Sequence, residues 1–111
     1  MIVDVARRAE VAGIVATNTT TARAGLLTAA ERVASYGPGG LSGAPLRTRS
    51  TEVVRNLFRL SRGSLTIVGV GGVFTADDVR SKFAAGANLV QVYTSFIYEG
   101  PMLAKRLANA C

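Results

Sequence analysis

A parallel α/β fold is what this sequence predicts, and three observations predict it. Short runs rich in branched apolar residues (GIVAT, LTIVGV and ANLVQVYT) alternate with segments of helical periodicity. Those runs are apolar at successive positions instead of alternating, the pattern of strands covered on both faces, which favours a parallel sheet with helical crossovers. Each run then stops in glycines or hydroxyl residues, where a strand tip turns toward the next helix.

The elements follow in order. IVDVARRAEVA predicts a helix over 2–12, with Ile2, Val5, Ala6, Ala9 and Ala12 recurring at three and four and Gly13 as the stop. GIVAT is the first strand. Residues 19–49 form a long connection holding Gly37, Pro38, Gly39, Gly40, Gly43 and Pro45, with room for a short helix over 26–35. A connection of this length in a compact domain is functional or disordered. Ser50 is the expected N-cap of STEVVRNLFRLSRG, with Val54, Leu57, Phe58 and Ser61 on one stripe and Gly63 at the end.

LTIVGV, residues 65–70, is the second strand, broken by Gly71 and Gly72. Thr75 caps ADDVRSKFAAGA, Asp78 completes a capping box, Val79 and Phe83 face inward and Gly86 stops the helix. ANLVQVYT is the third strand, and Pro101 is placed in the first turn of a last helix. Each crossover between these parallel strands should be right-handed.

Composition narrows the function classes. The chain has 111 residues, 49% of them hydrophobic, and a mean hydropathy of +0.30, which suits one small domain and not a disordered segment. No apolar run approaches the ~20 residues of a membrane span, and the N-terminus has no signal-peptide core. The lone Cys111 forms no internal disulfide. Net charge is +6, but the arginines are dispersed and no basic run is interleaved with aromatics, so nucleic acid is not an expected partner. The basic residues read as solvated helix faces or as attraction for an anionic ligand. With no histidine and no Cys/His cluster, no metal site is expected.

In parallel α/β folds ligands bind beyond the carboxyl ends of the strands. TNTTT, GG and YTS all lie there, on one face. GVGG between strand and helix suits close approach of a phosphate to backbone N–H groups. It is not a dinucleotide fingerprint, because the third glycine and the distal acid are missing. Gly71–Gly72 and Tyr93–Thr94–Ser95 are consecutive tips, the arrangement that builds phosphate sites in β/α barrels. Asn18 offers two donors and an acceptor, for gripping a planar ring or for capping a turn. Tyr93 either joins the core with its hydroxyl at the rim or lines the site.

Together, ATNTTT, GGLSGAPLRTRST, IVGVGGV and LVQVYTS with YEGP resemble the C-terminal part of dihydroorotate dehydrogenase, over essentially the whole chain and in order. GGLSG-x-PLR followed by ST leans to the quinone-dependent class 2. The resemblance implies that residues 1–111 are the last three strands, with their helices, of an FMN-binding eight-stranded (β/α)8 TIM barrel. It implies oxidation of dihydroorotate to orotate in pyrimidine biosynthesis, with FMN as cofactor and a quinone as acceptor.

By residue match, Asn18 and Thr19 would hold the substrate ring, and Thr17 and Gly43 would approach the flavin. Gly71, Gly72, Tyr93 and Thr94 would bind its phosphate, with Ser42 contributing through backbone or hydroxyl. The family's catalytic serine, a general base, has no match here and is expected upstream of residue 1. The same holds for the N-terminal helices that dock on a membrane: the cytoplasmic side of a bacterial inner membrane, or the mitochondrial inner membrane in a eukaryote. Three strands taken from a barrel leave two open edges, so the isolated chain is expected to be marginally stable, aggregation-prone and inactive. The alternatives are another TIM-barrel enzyme sharing the phosphate site, or a β/α module that holds FMN or another phosphate without chemistry.

Overall fold

The computed structural model describes residues 1–111. Strands β1 (Gly13–Ala16), β2 (Thr66–Val70) and β3 (Leu89–Gln91) form one parallel sheet in the order β1-β2-β3. The register pairs Ala16 with Gly69 and Val70 with Gln91. Helices α1 (Ile2–Arg8), α3 (Arg47–Ser61) and α4 (Ala76–Ala84) accompany the strands. Helix α2 (Ala30–Ser35) lies inside the long connection, and α5 (Thr94–Glu99) and α6 (Leu103–Ala110) follow β3. No helix is long and apolar enough to cross a membrane.

The sheet is parallel, as the alternation of strands and helices requires, but only one of its faces is covered. Alternate residues Ile14, Ala16, Ile67 and Gly69 face the helices. There Val3, Ala6, Ala16, Val54, Leu57, Leu65, Ile67, Ala85 and Ala87 form the larger core cluster. A smaller cluster of Val73, Val79, Leu103 and Leu107 seats α6 on α4. Val15 and Leu89, on the opposite face, are 63% and 59% exposed. The unbroken apolar pattern of the strands therefore records a second face that nothing in this chain covers.

Several elements differ from expectation. Helix α1 ends at Arg8, and its buried residues are Val3 and Ala6, whereas Ile2 and Val5 are exposed. The helix is short and touches α3 along one line, where the Arg7 guanidinium donates to the carbonyls of Leu60 and Ser61. Ser50 is not an N-cap. A 3-10 turn, Ala44–Leu46, runs directly into α3 at Arg47, so Pro45 marks the start and Ser50 is fully buried one turn inside.

The Phe58 and Phe83 rings are 46% and 45% exposed and lie outside the core. Phe58 instead covers Gly86, where an added Cβ would collide with its ring. The Thr75–Asp78 capping box forms in both directions. Pro101 precedes the last helix, and Thr94, expected to end a strand, begins α5.

Candidate ligand site at the strand tips

The first tip grows out of β1, where Thr17 N–H donates to Val70 C=O at 2.9 Å and prolongs the ladder. Asn18 then turns the chain: its carboxamide oxygen accepts from Thr19 N–H at 2.8 Å, so the capping role is present. Thr20 and Leu41 exchange both backbone hydrogen bonds, at 3.0 and 2.7 Å, and Arg23 donates to the carbonyls of Thr20 and Gly39. Gly40 packs directly against the Thr19 side chain. These contacts fold the long connection back so that Ser42 and Gly43 reach the other tips.

The second tip is held from behind. Gly71 and Gly72 have φ of +116° and +68°, a region that favours glycine. An added Cβ on Gly72 would collide with the Arg47 backbone. Glycine is thus required here by the packing of α3 as well as by the turn. The Ser50 hydroxyl donates to Gly71 C=O at 2.8 Å, and Arg47 Nε donates to Gly72 C=O at 3.3 Å.

Arg47 also pairs with Asp78 at 2.7 Å. Burial pushes the Asp78 carboxyl up, but hydrogen bonds from the N–H groups of Phe74 and Thr75 and from the Thr75 hydroxyl, together with the Arg47 charge, outweigh it. They hold the group below its ordinary value.

The third tip, Tyr93–Thr94–Ser95, meets the connection where Thr94 Oγ1 donates to Ser42 Oγ at 2.9 Å. The N–H groups of Gly71, Gly72, Thr94 and Ser95 have no hydrogen-bond partner in the protein. All four residues line one cavity of about 520 Å³. Unpaired backbone donors from two adjacent tips suit an anion with several acceptor oxygens.

Thr17, Asn18, Thr19, Gly43, Gly71, Gly72, Tyr93 and Thr94 line this cavity together. Ser42 does not; it borders the neighbouring cavity and reaches the first only through Thr94. Tyr93 is 76% exposed at the lip, so it is not a core residue. Sequence reading passed over Gln91, the polar residue of an otherwise apolar strand, which lines the floor opposite Val70. It also passed over Ser95 as an individual residue, and over Lys82, which occupies the inward stripe of α4 one turn after Val79. The walls contain no Asp, Glu, His, Lys or Arg. The site offers hydroxyls, carboxamides and N–H groups, which bind and orient, and no carboxylate or imidazole to move a proton.

A family model described as dihydroorotate dehydrogenase matches residues 1–110. A Kineococcus radiotolerans protein named dihydroorotate dehydrogenase (quinone) is 55% identical over 106 residues, covering 96% of this chain and 29% of that protein. A Pseudarthrobacter chlorophenolicus protein of the same name is 55% identical over 107 residues, covering 94% and 30%. The chain thus spans less than a third of the length of these relatives.

The crystal structure of Eimeria tenella dihydroorotate dehydrogenase in complex with ferulenol superimposes with a TM-score of 0.86 at 38% identity. That match covers 97% of this chain and 28% of the other. The ligand-free enzyme from the same organism gives 0.87. The three parallel strands and their helices are accordingly units of the TIM barrel of these enzymes, and the chain belongs to the dihydroorotate dehydrogenase family.

Proposed function

We propose that this chain is the C-terminal part of the barrel of a quinone-dependent dihydroorotate dehydrogenase, and that it supplies the phosphate cradle for FMN and part of the grip on the substrate ring. The observation that carries this reading is that four residues with unpaired N–H groups, Gly71, Gly72, Thr94 and Ser95, line the cavity that Asn18 and Thr19 also line.

FMN, when bound, supplies the hydride acceptor. The chain's own residues bind and orient. Gly71, Gly72, Thr94 and Ser95 donate to the phosphate, with Tyr93 at the rim. Thr17 and Gly43 border the flavin. The Asn18 amide N–H groups, free of protein partners, donate to a carbonyl or carboxylate of the ring, and the Thr19 hydroxyl donates to the Asn18 carboxamide oxygen at 3.4 Å. No cavity side chain here is a base, so the proton leaving the substrate goes to a group outside this chain, which the resemblance makes a serine. Delivery of electrons to a quinone, and attachment to a bacterial or mitochondrial inner membrane, belong to the same reading.

The test uses the complete gene product. It should retain FMN through desalting, and orotate should perturb the flavin absorbance. Asn18→Ala should keep the flavin and lose the orotate response. A protein that holds FMN but ignores both dihydroorotate and orotate would favour a binding module, the reading that the lack of a base in this cavity supports.

A further inference from the structure

Lys82 has 1% of its surface exposed, the most buried of the chain's charged side chains. Its stem crosses β2 where Gly69 leaves room: a Cβ on Gly69 would lie 3.2 Å from Lys82 Cδ and 3.3 Å from Ala87 Cβ. The ammonium donates to Ser50 Oγ and Thr51 Oγ1, both at 2.6 Å, and to Arg47 C=O at 3.3 Å. No carboxylate pairs with it. The nearest acid by chain and charge, Asp78, is committed to Arg47 and to the N–H groups of Phe74 and Thr75.

A buried ammonium held only by neutral oxygens is a poor stability device, because an apolar side chain of the same length would fill the slot without the cost of desolvating a charge. Its hydrogen bonds lead somewhere specific. Ser50, which accepts from Lys82, donates to Gly71 C=O at 2.8 Å. Each peptide unit that points its carbonyl into the helix layer points the following N–H the other way. The chain Lys82–Ser50–Gly71 C=O therefore fixes the peptide whose N–H, that of Gly72, is one of the unpaired donors at the cavity. Charge-assisted bonds polarise the hydroxyl and strengthen the next bond in line.

We propose that Lys82, acting through Ser50, is a positioning residue for the anion site: it locks the Gly71–Gly72 peptide with its N–H toward the cavity and sets a positive charge behind it. The proposal rests on the reading of these tips as a phosphate site. Lys82 touches no ligand, and its role is to aim the backbone donors and raise the potential where a phosphate monoester sits.

The test compares FMN with riboflavin, the same ring system without the phosphate, by fluorescence quenching on the apo form of the complete gene product. Lys82→Met keeps an unbranched apolar stem out to the Cε position and removes the charged terminal nitrogen. It should weaken FMN binding about tenfold and leave riboflavin binding within about twofold. The thermal midpoint of the apo protein should not fall. Ser50→Ala cuts the link to Gly71 while leaving Lys82 bonded to Thr51, and should show the same selective loss to a smaller degree. It serves as the second probe if Lys82→Met does not fold. Equal loss of FMN and riboflavin, or unchanged FMN affinity in either folded variant, overturns the proposal. A wild-type protein that binds FMN no more tightly than riboflavin removes the phosphate site itself, and the role of Lys82 with it.

Discussion

Thr94 Oγ1 and Ser42 Oγ lie 2.9 Å apart although 52 positions separate them in the chain. This bond closes the site, because it ties the tip after β3 to the glycine-rich connection that the Thr20–Leu41 bridge folds over the tip after β1. Ser42→Ala in the complete gene product should cost less than about 1 kcal/mol of stability, the worth of one exposed neutral hydrogen bond. It should speed amide hydrogen exchange from Leu41 to Gly43. Exchange that is unchanged there would show that the bond does not hold the connection in place.

Gly72 is fixed by two separate demands, a φ of +68° and an Arg47 backbone standing where a Cβ would go. Gly72→Ala should destabilise the protein by more than about 2 kcal/mol, and should abolish retention of a phosphate ligand. Gly25→Ala is the control: its φ is also positive, at +75°, but its Cβ would meet nothing. That variant should bind normally. Normal binding by Gly72→Ala would mean that the turn does not present the anion donors.

Asp78 gives a pH dependence of definite sign. Its folded-state carboxyl titrates below its ordinary value, so its contribution is full above the unfolded value and is lost as pH falls through the folded one. Lys82 acts in a different window. Burial lowers its folded value, so it weakens the fold wherever it stays protonated, and this penalty is relieved as pH rises from that lowered folded value to the ordinary lysine value. Unfolding midpoints of wild type and Asp78→Asn should therefore differ at neutral pH by the equivalent of about 1–3 kcal/mol and converge in strong acid. Curves that stay parallel into acid would refute the role of the Arg47–Asp78 pair.

The bare sheet face makes a prediction about the 111-residue chain by itself. Val15 and Leu89 stand exposed beside Val68 on that face, and the outer edges of β1 and β3 are unpaired. Such a surface favours self-association. Light scattering should detect oligomers of the isolated chain that Val15→Lys with Leu89→Lys reduces. A monodisperse monomer with the wild-type face would contradict this.

Much of this architecture was legible in the sequence for identifiable reasons. Glycine stops and the Thr75–Asp78 capping box are local signals, so the sequence alone locates β2, α4 and their junction. The start of α3 is not legible in the sequence, because Ser50 has the chemistry of an N-cap, whereas its hydroxyl serves the carbonyl of Gly71, beyond β2. Strands apolar at every position predicted two covered faces, but sequence cannot say which chain supplies the cover. Most residues named for the site do line one cavity, because strand tips in a parallel sheet converge by topology. Gln91 and Lys82 carry local signals, a polar residue in an apolar strand and a place on the inward stripe of α4, but the Thr94–Ser42 bond and the Lys82–Ser50–Gly71 link depend on contacts across the fold that no local spacing encodes.

The central claim is that this cradle serves a flavin enzyme acting on dihydroorotate. The most direct measurement is an anaerobic titration of the complete, FMN-loaded gene product with dihydroorotate, following the flavin absorbance. The account predicts bleaching of the oxidised flavin with stoichiometric formation of orotate, and return of the colour on adding a quinone. Flavin that stays oxidised in excess dihydroorotate would contradict it.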